Sequence, residues 1–340
     1  MKSNKLFHTV MKVKNIIYII SLVFAAMSCS MDSDTMMNDT TKEIENSLNN
    51  GEVAVSFSLT DGSVATKSVT PAADDNTTDQ TIKNVTVFLL EGENVIDVKQ
   101  PSVGDYQNCF YVKKGERSNL RLIVVANSSI GTSFTAADGI RTAAIHLDDC
   151  TKFGEKDLTP TENGYTATVE LTQSYAGIEL GKFNVVKGEG IKDGVQVSLT
   201  GVELLNQNTV GQVNGALAGV NLTNKSWNFG STYPTCKTSS NSTDILSEQN
   251  VFFRTFAYNY STTEGSEQLA LRLTYKIGDK DYSKTITVQG KSENQLEVEA
   301  GCIYQVNVTL NVSTKEVTIS NLKWVVQGFD KKGNINIEFN

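Results

Sequence analysis

The chain has 340 residues, 39% of them hydrophobic and 20% charged, a composition that suits about two globular domains. Its formal net charge is −8, and −12 once the four lysines of the N-terminal leader are subtracted, a field that repels nucleic-acid backbones and anionic headgroups. His146 is the only histidine beyond that leader and no Cys-x-x-Cys occurs, so the commonest general base and the usual zinc ligands are nearly missing.

Residues 1–28 read as a signal peptide: Lys2, Lys5, Lys12 and Lys14 with no acid, then an apolar run over 16–26 that is too short to span a bilayer comfortably. Ala26-Met27-Ser28-Cys29 resembles a lipobox, which makes Cys29 the expected lipidation site of an exported lipoprotein. Residues 29–50 are polar and poor in branched apolar side chains, as in a flexible tether. Val53, Val55, Phe57 and Leu59 then alternate with small residues, the period of two of a half-buried strand over 52–59. Residues 60–80 carry Asp61-Gly62, Pro71 and Asp74-Asp75-Asn76 and read as a long exposed loop.

Strands follow over 82–90, 94–98, 106–112, 120–126 and 165–171, with a hint of helix only over 136–146. Further strands are expected over 178–186, 195–204, 251–257, 268–277, 282–288, 303–312 and 315–326, and Gly278-Asp279-Lys280-Asp281 makes a hairpin turn. Within 315–326 the apolar set Val317, Ile319 changes phase to Leu322, Trp324, Val326, which predicts a β-bulge at Ser320-Asn321. Ile335, Ile337 and Phe339 alternate with polar residues, so the chain closes on a strand. Many short strands without helical alternation argue for an all-β protein of two β-sandwich domains, 51–173 and 174–340. Cys109, Cys150, Cys236 and Cys302 are even in number in a compartment that permits disulfides, with three pairings open.

The order of these features resembles the fimbrillin family, the pilin subunits of type V pili of Gram-negative anaerobes. The resemblance rests on the lipobox, on Val85-Thr86-Val87-Phe88-Leu89-Leu90 before a hairpin, on Leu120 to Asn127, and on Tyr304 to Leu310 before a strand carrying Trp324. It implies two transthyretin-like sandwich domains and assembly into adhesive fimbriae with other fimbrial subunits as partners. The resemblance further implies delivery to the outer membrane as a lipoprotein, removal of the first strand by a trypsin-like protease, and its replacement by a neighbour's strand through β-augmentation. Mapped here, the displaced strand carries Val53, Val55, Phe57 and Leu59, the cut falls at Lys67-Ser68, and the donor strand carries Ile335, Ile337 and Phe339. Family members commonly present arginine at the cut, whereas no arginine precedes Arg117 in this chain. A head-to-tail contact of this kind generates an open filament.

No H-E-x-x-H, G-x-S-x-G or G-x-x-x-x-G-K occurs, and Asp148-Asp149 and Glu297 with Glu299 read as solvated surface carboxylates, so neither an enzyme, a metal nor a cofactor is expected. Two other readings stay open from sequence. One is a tip or anchor subunit that is never cut. The other is a surface lipoprotein that captures glycans, with Trp227, Tyr233 and Trp324 as stacking platforms.

Overall fold

A computed structural model of the chain describes residues 51–61, 81–246, 251–259, 268–290, 297–313, 317–328 and 334–339. In chain order the first half contains β1 (Glu52–Asp61), β2 (Val85–Glu91), β3 (Asn94–Lys99), β4 (Phe110–Lys113), β5 (Leu120–Ala126), a short helix α1 (Ala137–Arg141), β6 (Ala144–Ile145), β7 (Lys152–Asp157), β8 (Thr159–Thr161) and β9 (Gly164–Gln173). The second half adds β10 (Ala176–Lys187), β11 (Gln196–Asn208), β12 (Gly211–Gln212), β13 (Leu222–Ser226), β14 (Thr235–Lys237), β15 (Thr243–Asp244) and β16 (Val251–Thr255). It closes with β17 (Tyr258–Asn259), β18 (Ala270–Ile277), β19 (Lys280–Thr287), β20 (Glu297–Val298), β21 (Cys302–Val312), β22 (Val317–Gly328) and β23 (Asn334–Phe339).

The all-β, sandwiched class expected from the sequence is what the structure has. In the first half the strands run β3-β2-β5-β7-β9-β1-β4, and β9 turns the corner between two layers. Its early residues pair in parallel with β1, while Thr172 and Gln173 pair with Phe153 and Lys152 of β7. Val55, Val87, Leu122 and Val169 are among the buried side chains enclosed between those layers. The second half stacks β15-β10-β21-β22-β23 on β13-β11-β18-β19 around a core that includes Phe183, Leu199, Leu273 and Val308.

A third core is shared by both halves. Phe88, Leu90, Ile123 and Val125 project from the outer faces of β2 and β5 and, with Ile140 of α1, cluster with Tyr175, Val213, Phe256 and Ile303. Strands β2 and β5 are thus buried on both faces, which explains their nearly continuous apolar runs. The helix expected over 136–146 shrinks to Ala137–Arg141, because Ala144 and Ile145 leave it to pair with Gln212 and Gly211. Arg141 ties that helix to the sheet through Glu93 at 2.8 Å and Glu155 at 3.0 Å, and the guanidinium beside Glu93 holds that carboxyl below its ordinary range.

Two local signals are met in detail. Thr309 faces Asn321 and Leu310 faces Ile319, so Ser320 is the extra residue of the expected bulge. Ile277 pairs with Lys280 across a two-residue turn in which Gly278 adopts φ +56°, the first-position requirement of a II′ hairpin. The cysteine expectation is corrected: Cys109, Cys150, Cys236 and Cys302 form no disulfide.

Candidate functional site

The displaced-strand segment is a fully integrated element. Glu52 to Val55 pair antiparallel with Lys113 to Phe110 of β4, while Ala54 to Asp61 pair in parallel with Gly164 to Leu171 of β9. The strand runs to Asp61, two residues beyond the expected end, because the parallel ladder continues through Thr60 and Glu170 to Asp61 and Leu171. Its alternation is realised: Val55 is 0% and Phe57 2% exposed, while Val53 and Leu59 are half-buried against the same core.

Tyr106 and Gly164, which the sequence did not single out, complete the seat. The Phe57 ring stacks on Tyr106 at 4.9 Å between centroids, and the Phe57 backbone N–H donates to the Tyr106 carbonyl at 3.1 Å. The Asn108 backbone N–H donates to Ser56 Oγ at 2.8 Å, and the hydroxyls of Ser58 and Thr168 meet at 3.1 Å. Gly164 opens β9 opposite Ala54, where a Cβ would collide with the Ala54 carbonyl oxygen, so β1 can dock this closely only against glycine. Burying a side chain the size of Val or Phe is worth about 1.5–3 kcal/mol, so β1 contributes several such increments. Phe57→Ala is expected to destabilise the uncut protein by about 3–5 kcal/mol, read as a lower urea midpoint. A shift within error of zero would mean that β1 is not part of the core.

The donor-strand segment takes its place at a sheet edge. Phe339, Ile337 and Ile335 pair with Leu322, Trp324 and Val326 of β22, and β23 has no other strand neighbour among the described residues. Cys29, Lys67 and Ser68 lie outside the described residues, as does most of the 60–80 loop. Of the three aromatics considered for glycans, Tyr233 is 51% exposed and packs edge-on against Phe229, whereas Trp227 is half-buried against the second core. Trp324 pairs through its backbone with Val306 and Ile337. No cluster of His, Cys, Asp and Glu among the described residues has the makings of a metal site.

The fold is thus an all-β sandwich arrangement with a core-forming first strand and an edge-forming last strand among the described residues. The fold is similar to that of a fimbrilin from Porphyromonas gingivalis W83, with 12% identity and a TM-score of 0.52 over 81% of this chain and 98% of that one. It is also similar to the tip fimbrial protein Mfa3 of Porphyromonas gingivalis with a C-terminal truncation, with 12% identity and a TM-score of 0.52 over 82% and 99%. In sequence, residues 53–200 match the family model of the major fimbrial subunit protein (FimA). The resemblance to the fimbrillins therefore holds, and that family is structural, not enzymatic. No curated protein matches the chain.

Proposed function

We propose that the protein is a stalk subunit of a cell-surface adhesive fimbria, exported as an outer-membrane lipoprotein acylated on Cys29 and polymerised by strand exchange. A trypsin-like protease cuts Lys67-Ser68, β1 leaves with the lipid and tether, and β23 of a neighbouring subunit takes its place. The observation that carries this reading is the pairing of β1 on both sides, with Val55 and Phe57 sunk in the core. A departing strand of that kind leaves unpaired backbone groups and apolar pockets at alternate positions, and only another strand of the same period satisfies both. Ile335, Ile337 and Phe339 have that period. Among the described residues they lie on a strand bonded along one edge only, the kind least costly to withdraw from its own sheet.

Cys109 reports the exchange. It packs on the first core beside Asn108, and burial pushes its thiol up to about 11 from 9.0, which cuts the thiolate fraction near neutral pH about a hundredfold. Alkylation by iodoacetamide at mildly alkaline pH is expected to be slow in the uncut protein, to quicken once β1 is removed, and to slow again in polymer. A rate that ignores the cut would sink the exchange.

A further inference from the structure

The two halves of the chain enclose a cleft of about 490 Å³, within the size range of small-molecule sites, roughly 300–1,000 Å³. The turn carrying His146 and Asp148 lines one side, and Lys225 and Ser226 of β13 with the following Trp227 line another. No residue lining it belongs to β1 or β23, so it stands apart from the exchanging strands.

The exposed side chains of His146, Asp148, Lys225 and Ser226 make no hydrogen bond or ion pair among the described residues, so donors and acceptors are both open to a ligand. Arg254 also reaches the cleft, but its guanidinium is engaged at the Tyr175 ring, 5.9 Å from the centroid, and is not one of these open groups. Trp227 adds an aromatic wall, oriented by an edge-to-face contact with Phe253, 5.8 Å between centroids at 74°, and by its backbone N–H donating to the Val202 carbonyl at 2.8 Å.

The aromatic surface continues beyond the cleft. Strands β13 and β14 pair with one edge of β11 while β18 holds the other, and the connection between β13 and β14 carries Trp227, Phe229 and Tyr233. The Leu199 N–H donates to the Pro234 carbonyl at 3.0 Å, which places Tyr233 beside the same edge of β11 as Trp227. From Val202 to Leu199 is about 10 Å of extended strand, longer than a single sugar ring. Tyr233 is 51% exposed there.

Each component narrows the ligand. An anion is repelled by Asp148 and a cation by Lys225, and an apolar ligand would strip water from the open groups without replacing its hydrogen bonds. A neutral pyranose avoids all three, because its hydroxyls both donate and accept and its C–H face stacks on an aromatic ring. We propose that the cleft binds a neutral oligosaccharide, with one pyranose on Trp227 among the open polar groups and a later unit of the same chain on Tyr233. The site goes beyond the structural role in the fimbria, and uncut monomer serves to test it.

The test is calorimetric titration of uncut monomer with cellotetraose, maltotetraose and lacto-N-neotetraose, each beside its disaccharide, cellobiose, maltose or lactose. Saturable binding of at least one tetrasaccharide is expected, with its disaccharide at least about tenfold weaker. Because Trp227 packs on the core, the deciding variants are at exposed positions. Tyr233→Ala should bring the tetrasaccharide down to the level of the disaccharide, and Asp148→Ala should weaken both at least about tenfold, with Tm unchanged in each. Silence from all three tetrasaccharides, a disaccharide that binds as well as its tetrasaccharide, or undiminished binding by either variant would each overturn the proposal.

Discussion

Limited trypsin treatment of the purified full-length protein is expected to convert monomer into a ladder of polymers that resists denaturant, with Ser68 as the new N-terminus. The effect is all-or-none in character because two conditions must coincide. The bond must be accessible, and the strand it releases must be one whose loss the subunit cannot tolerate. Val64-Ala65-Thr66-Lys67-Ser68 has the small residues of a cleavable loop tip. The seat of β1, with Phe57 stacked on Tyr106 and bonded through its backbone, meets the second condition. Lys67→Ala should remain monomeric under the same treatment, with Glu52–Asp61 retained. Ladders formed by that variant with β1 still attached would remove strand exchange as the mechanism.

Deleting residues 331–340 is expected to abolish polymer altogether while leaving a folded monomer. Among the described residues strand β23 is bonded only to β22, so its removal shortens one edge of the second sandwich and leaves β21 paired on both sides by β10 and β22. Circular dichroism and a urea titration would register a modest stability loss, and electrophoresis after trypsin would register loss of every band above monomer. The double variant Ile337→Asp, Phe339→Asp keeps the chain length and should behave alike, since a charged side chain cannot fill an apolar pocket without neutralising or carrying water with it. Polymerisation by either variant would mean that the donor lies elsewhere.

Local pattern made much of this molecule legible before its structure. The alternation from Val53 to Leu59, the phase change at Ser320 and the Gly278 turn each encode backbone geometry within a few residues, and each appears where the pattern put it. Strand β7 was hidden because Lys152–Asp157 carries four charges and a glycine. Its Lys152 is buried opposite Gln173 and Gly154 lies against the Glu170 carbonyl, circumstances set by β9 and not by its own sequence. The two-sided burial of β2 was present as an unbroken apolar run, but a run of that length does not say what covers the face of Phe88 and Leu90. The four cysteines misled because counting says nothing about distance. The neighbourhood of His146, Lys225 and Arg254 was invisible for the same reason, since they come from segments far apart in the chain that only the fold brings together.

The order of strands in the first sheet carries a kinetic consequence. Among the described residues β4 joins that sheet through β1 alone, yet Phe110 and Val112 on β4 are buried core side chains. A subunit stripped of β1 is therefore not a rigid receptacle awaiting its plug, because the far bank of the vacancy has lost its mooring as well. If a donor strand replaces β1 as proposed, its arrival would have to rebuild β4 as it docks, a coupled folding and binding event whose barrier falls only when the incoming strand is already held close. Free subunits would then join slowly and erratically, whereas one delivered beside a waiting tail would lock in and stay.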